Sequence, residues 1–397
     1  AGSMNQLIAA RVLQGLGGGG IMVSIFAINA DLFEPRVRAR YQSYSSLMLM
    51  AAGAIGPTLG GVLSDQFGWR SIFLVNLPIG VAVLAGLAII LPYRRPQRRP
   101  KIDFAGAALL ALAVSSVVLW ADSRQIFGSM VAVGSLAVVA IGLVSIMCWI
   151  LVERRVDEPI IPLGLFRNPT FSLLLVVSMT SGAIGIGSVN YVALFLQTTT
   201  GLSPSLAGLL FIALTGGIAL GSLTAGRLIS VTGRYKPFAI ISTTGSLVTF
   251  LIFATLHAGS PIAVIGAVML LQGLSVGFGQ QVPVVGVQNA ADPRDVGAAT
   301  SAVTLTRMGG ASIAISVYGA VLSGMMAGQG TGIAGVGSID QLTPAELAAL
   351  PEASQALVAA IYTSAFQPVF LTMAATIAIG LAAALSLRNI RLPTQGQ

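Results

Sequence analysis

Cysteine and histidine occur once each among the 397 residues, and charged side chains make up only 9% of the chain, against roughly a quarter in an ordinary soluble domain. The lone Cys148 rules out a disulfide scaffold, and Cys148 and His257 are too few to form the His/Cys clusters that hold metals. Acids number only 13, and every one falls in a loop or at the end of an apolar stretch, with Asp31 and Asp103 nearest the membrane. What fills the chain instead is apolar: 55% of residues by the AVILMFWYC count, with 47 glycines and a mean hydropathy of +0.88. This balance fits neither a water-soluble fold nor a charged disordered tail.

Eleven apolar stretches run over approximately 3–30, 41–63, 72–92, 103–121, 129–151, 170–196, 204–229, 237–256, 261–285, 297–323 and 360–387. Each is about as long as the roughly 20 residues that cross a bilayer core as a helix. Their Gly, Pro and Thr content suits spans that pack on one another in lipid. Alternating segments of about ten residues, the mark of a transmembrane barrel, are missing. The expected fold is an all-α polytopic membrane protein.

The net charge of +8 is explained by topology and needs no nucleic acid. Loops after the odd-numbered stretches carry Arg36, Arg38 and Arg40; Arg94, Arg95, Arg98, Arg99 and Lys101; Arg154, Arg155 and Arg167; Arg227, Arg234 and Lys236; Arg294 and Arg307; and Arg388 and Arg391. That is 18 of 21 basic residues; Arg70 and Arg124 are alone in the other loops, and Arg11 lies within a span. The asymmetry predicts that the first set of loops and the C-terminus are cytoplasmic. Residue 1 then lies outside, with no signal peptide before it and Ala in place of Met, so the expectation is an N-terminally truncated chain.

Leu13-Gln14-Gly15-Leu16 recurs as Leu271-Gln272-Gly273-Leu274 and Pro35-Arg36 as Pro293-Arg294, both at an offset of 258. This is the pattern of a parallel repeat with two extra helices inserted between the copies. The expected division is 1–92 for the remainder of a first helix bundle, 93–152 for two linking helices and 153–397 for a six-helix bundle bearing an external loop, 324–358.

Several segments carry a family resemblance. Ala10-Arg11-Val12-Leu13-Gln14-Gly15 looks like the Arg-x-x-Gln-Gly motif in the fourth helix of major facilitator drug exporters, and Gly56-Pro57-Thr58-Leu59-Gly60-Gly61 resembles the antiporter motif of their fifth helix. Trp69 to Pro78 is similar to the segment that follows it in 14-span drug:proton antiporters of the EmrB/QacA type. Gly226-Arg227-Leu228 with Gly233-Arg234 resembles the second copy of their cytoplasmic loop motif. The resemblance covers essentially the whole chain and implies helices 4–14 of 14. It also implies that Arg11 couples proton movement to export, that Gly56, Pro57, Gly60 and Gly61 seal the external side, and that the proton-carrying acid lies in the absent helices. Residues 1–397 alone are then expected not to sustain coupled transport.

The residues themselves are consistent with these roles. A guanidinium in a span needs a carboxylate, a carbonyl or water, and Arg11, Gln14, Gly15 and Gly18 share one helical face. Plain snorkelling of Arg11 and plain helix packing of the glycines remain alternatives. Gln14, Asn190, Gln197, Gln280, Gln281 and Gln288 are candidates to line a central cavity, beside Tyr191, Phe195 and Phe278, which suit an amphipathic cargo. Gly15-x-Gly17-x-x-Gly20 and Gly330-x-Gly332-x-x-Gly335 match a dinucleotide fingerprint, and Gly273-Leu274-Ser275-Val276-Gly277 a nucleophile elbow. The first two are rejected because no strand precedes either, and the third because it sits within a span and His257 precedes it where the hydrolase order needs a histidine after it.

Three functions stand at this level. The leading one is a proton-driven exporter of amphipathic small molecules or drugs in the bacterial inner membrane, with no cofactor besides the proton gradient, no nucleic-acid partner, and accessory efflux subunits left open. A carrier of one specific metabolite on the same fold is the alternative. A membrane-embedded enzyme or receptor is the remote one, since no catalytic constellation is present.

Overall fold

The computed structural model describes residues 3–90, 103–121, 123–156, 159–200, 202, 204–326, 351–389 and 391–392. Among them the chain is helical, and the pairing between extended segments is an isolated antiparallel bridge of Arg234 with Arg391. The α-helices are α1 (Met4–Leu32), α2 (Pro35–Phe67), α3 (Ser71–Leu74), α4 (Asn76–Ile90), α5 (Phe104–Ala121), α6 (Ser123–Phe127), α7 (Val133–Glu153), α8 (Pro169–Gly185), α9 (Val189–Thr198), α10 (Pro204–Thr232), α11 (Lys236–Phe253), α12 (Ile262–Gly279), α13 (Val282–Ala290), α14 (Val296–Met326) and α15 (Glu352–Ser386). Each of the eleven predicted stretches falls on one helix or on two consecutive ones. Nine of these units, among the described residues, are long and apolar enough to cross a membrane; α2 and the shorter apolar α5 are the other two. Gly15 to Gly20 sit inside α1 and Gly273 to Gly277 inside α12, far from any strand.

Three predicted spans are not continuous, and the first of them, 72–92, breaks at Val75 between α3 and α4. The stretch 170–196 breaks between α8 and α9, and 261–285 breaks between α12 and α13. Pro283 lies in the first turn of α13 and has no amide to give to the carbonyl of Gly279, so the α12 ladder cannot run on. At the α8/α9 break, Gly187 is packed so closely that an added Cβ would lie 3.1 Å from that of Ala314. The expected external loop 324–358 is also shorter at its ends, because α14 runs to Met326 and α15 begins at Glu352. The interior of that loop and the basic run 94–101 lie outside the described residues.

Two apolar cores hold the helices together. One gathers Phe195, Phe250, Phe253, Phe366 and Phe370 from α9, α11 and α15, with Phe195 and Phe253 each 5.2 Å from Phe370 between ring centroids. The other collects Phe171, Tyr235, Val284 and Leu387 near the basic loops. By contrast, α4 has no buried residue among those described, and α1 is exposed throughout Ile8–Ile21. Apolar faces of this kind suit lipid or further protein.

Helix α10 is pressed against both neighbours by glycine. A Cβ on Gly217 would lie 2.9 Å from the Leu274 amide, and one on Gly277 would lie 2.8 Å from that of Ser222, so the α10 and α12 backbones touch. Towards its other end α10 crosses α2, where a Cβ on Gly226 would collide with the Ser43 hydroxyl and approach the Ala39 carbonyl oxygen to 2.9 Å. Gly226→Ala is expected to force α2 and α10 apart and to destabilise the protein by about 1–3 kcal/mol. Thermal unfolding in detergent measures this, and Ser43→Gly in the same chain should restore part of the loss.

Candidate functional site

Arg11 lies two turns into α1. Its Nη1 donates to the Gln14 Oε1 at 2.7 Å, and its guanidinium stands 5.8 Å from the centre of the Phe73 ring. Helical spacing thus brings Arg11 and Gln14 together, and both side chains are exposed. Gly56, Pro57, Gly60 and Gly61 fall within α2, but what surrounds them lies outside the described residues. Asp103, one of the two acids nearest the membrane, caps α5 by accepting the Gly106 amide at 2.8 Å.

The predicted cavity residues do not form one group. Asn190 is exposed, while Tyr191 and Gln197 are half-buried on α9, where the Tyr191 hydroxyl donates to the Ile315 carbonyl. Gln281 and Gln288 belong instead to a buried bridge between α2 and the later helices, made where the basic loops lie. Gln288 Oε1 accepts from Arg38 Nη1 at 3.3 Å and from Gln42 Nε2 at 3.2 Å, and its Nε2 donates to Thr300 Oγ1 at 3.0 Å. Gln281 Nε2 donates to the Gln42 carbonyl at 3.0 Å. Arg38 Nη2 also donates to the Ala30 carbonyl at 2.7 Å, and Asp31 supplies an opposite charge nearby. Arg38, expected in a loop among solvated basic residues, is therefore buried, as are Gln42, Gln281 and Gln288. Each amide found a partner from a helix far along the chain, a pairing that helical periodicity does not encode.

Arg307 requires a correction. Counted above among the loop residues, it lies 11 residues past the start of α14, about 16 Å along the helix. It is 9% exposed. The basic asymmetry stands at 17 to 2 with Arg11 and Arg307 both inside spans. Arg307 Nη2 donates to the Gln280 carbonyl at 3.0 Å, at the α12/α13 break, while its Nε has no hydrogen-bond partner. Among the described residues no carboxylate faces it. The break in α8/α9 meets the same helix at Ala314, seven residues and about two turns further on. A narrow crevice of about 10 Å³ lies beside these features; Ser181 of α8, Ser242, Thr243 and Ser246 of α11 and Gly279 of α12 share its lining with the apolar Val177, Ile184, Ala239, Val276 and Ile377.

The loop-motif residues have separate surroundings. Gly226 is buried against α2 and Arg227 is exposed. Gly233 turns the chain with φ of 67°, a conformation that costs glycine little. Its carbonyl accepts the Leu392 amide at 2.7 Å, Arg234 pairs with Arg391, and Lys236 Nζ donates to the Leu385 carbonyl at 2.8 Å. Burial pushes the neighbouring Tyr235 phenol above its ordinary value, so it stays neutral. His257 is exposed in the α11–α12 loop, as expected for a solvated residue.

Broken helices, cations inside spans and a buried bridge between two helix groups define a polytopic membrane protein of the carrier kind. The family model of the Major Facilitator Superfamily matches residues 1–315, and the chain belongs to that family. It is similar to an uncharacterised MFS-type transporter of Mycobacterium tuberculosis, at 30% identity over 98% of this chain and 57% of the relative. It is also similar to the multidrug transporter protein MdtP of Bacillus subtilis, at 30% identity over 81% of this chain and 60% of that protein. A third relative is the multidrug resistance protein Stp of M. tuberculosis, at 28% over 81% and 60%. The chain spans less than two thirds of the length of each. Family and relatives are transporters, not enzymes.

The bridge gives a test of its own. Gln288→Leu removes the shared acceptor of Arg38 and Gln42 and is expected to lower stability by about 1–3 kcal/mol, whereas Gln288→Glu keeps an acceptor and adds a charge for Arg38. Thermal unfolding of both variants should rank Leu below Glu; equal midpoints would show that the bridge carries no stability.

Proposed function

We propose that this protein is a proton-coupled exporter of amphipathic small molecules, of the 14-span drug:proton antiporter type, working by alternating access. It resides in the bacterial cytoplasmic membrane with the basic loops and the C-terminus on the cytoplasmic face. Residues 1–92 belong to the first helix bundle, 93–152 to two linking helices and 153–397 to the second bundle. The proton gradient is the energy source, and the partners are the cargo and the bilayer.

The observation that carries this reading is the bridge from Arg38 and Gln42 to Gln281 and Gln288. It joins the two helix groups on one membrane side, and a carrier that alternates must make and break such a closure at each face in turn. Arg38 stays charged at any physiological pH, so the bridge opens by exchanging hydrogen bonds and not by losing a proton. The relatives named as multidrug proteins support an amphipathic cargo, as do the motifs around Arg11 and Gly56. Arg11 holds a permanent charge where a protonated and an ionised carboxylate would be told apart, since a cation nearby favours the ionised form.

In cells expressing the whole gene, Arg11→Ala is expected to abolish proton-driven dye transport in everted vesicles while the protein remains in the membrane. Undiminished coupled transport would end the role given to Arg11. For orientation, Gln97→Cys in a Cys148→Ala background should resist an impermeant thiol reagent in intact cells and react once the cells are opened.

A further inference from the structure

We infer that Arg307 and the α12/α13 break form an anion subsite, so that the molecules this carrier prefers bear a carboxylate or a similar anionic group. The inference rests on the transport reading only for the word carrier; the subsite itself is argued from the geometry.

A guanidinium cannot shed its proton, and placing one inside a membrane span is costly unless something answers its charge. Arg307 is nine-tenths buried. Its described hydrogen bond goes to a neutral acceptor, the Gln280 carbonyl, and its Nε has none. Arg11 and Arg307 lie eight or more residues from the nearer end of their apolar stretches, whereas every acid lies in a loop or at the end of a stretch. A structural role as a cap on the end of α12 explains one hydrogen bond, but a neutral donor would make that bond without the expense of a buried charge. Arg307 instead leaves donor capacity and a full positive charge at a point where the helix is interrupted.

Three features at that point favour an anion. The N-terminus of α13 begins two residues beyond Gln280, and no side chain caps it, so the positive end of its dipole lies at the break. The adjoining crevice of about 10 Å³ counts Ser181, Ser242 and Ser246 among its otherwise mainly apolar lining, and that lining reaches Gly279, next to the residue whose carbonyl Arg307 holds. Charge-assisted bonds to a carboxylate are about twice as strong as those to a neutral carbonyl. An anionic group arriving at the break would therefore take Arg307 from Gln280 and release the carbonyl that ties α14 to α12. Binding and loosening of the break are then one event. The same charge repels cationic amphipaths in a low-dielectric surrounding.

The test uses three probes of one shape: naphthoate, naphthamide and naphthylmethylammonium. Binding to the whole gene product purified in detergent is read as the thermal shift of each variant against its own unliganded midpoint. Naphthoate should stabilise the unaltered protein more than the amide or the ammonium compound does. Arg307→Gln should weaken naphthoate binding by about ten-fold or more, and Arg307→Lys should restore part of it. In vesicles, the naphthoate-to-ammonium ratio of kcat/KM should fall in Arg307→Gln and recover in Arg307→Lys. Equal preference among the three probes, or a loss in Arg307→Gln that is the same for all of them, would overturn the subsite and leave export standing. The expected binding pattern without movement of any probe would support the subsite and overturn the export reading instead.

Discussion

Backbone contact along α10 is the constraint on which the rest of the molecule depends. Lipid offers no hydrophobic gain for bringing one apolar helix against another, so closeness must come from packing itself. Glycines at 217, 221, 273 and 277 let α10 and α12 meet backbone to backbone, and Gly226 lets the far end of α10 lie on α2. One helix is thereby fixed to both halves. The buried bridge forms because of this: Gln281, two residues past the end of α12, reaches the Gln42 carbonyl on α2 and the Ser222 hydroxyl on α10.

The helices themselves were legible in the sequence, because crossing a bilayer imposes a length and an apolarity that no local detail hides. The stretches 3–30 and 129–151 became α1 and α7 with ends moved by a few residues. The breaks in 170–196 and 261–285 were less visible, since apolar residues run straight through both. A signal existed at Pro283, whose missing amide marks the start of α13, and a weaker one in Gly185-Ile186-Gly187. Counting basic residues by loop puts Arg307 on the wrong side of the boundary, although the apolar stretch 297–323 encloses it.

Long-range pairing was not legible. Arg38 and Gln288 lie 250 residues apart, and nothing in the hydropathy of either segment says that they meet. The same holds for Gly226, which reads as part of a loop motif and serves as the floor of a helix crossing. Arg11 stands between these cases. Its bond to Gln14 follows from spacing on one helix, while the Phe73 ring beside it comes from another.

The turn at Gly233 has a consequence for the end of the chain. Its carbonyl holds the Leu392 amide, and Lys236 reaches back to the carbonyls at the end of α15. The tail is thus a strap that ties the end of α15 to the turn between α10 and α11. Separating the start of α11 from the end of α15 would therefore break the Gly233–Leu392 bond and both bonds of Lys236 together, so these two helix ends are held as one unit.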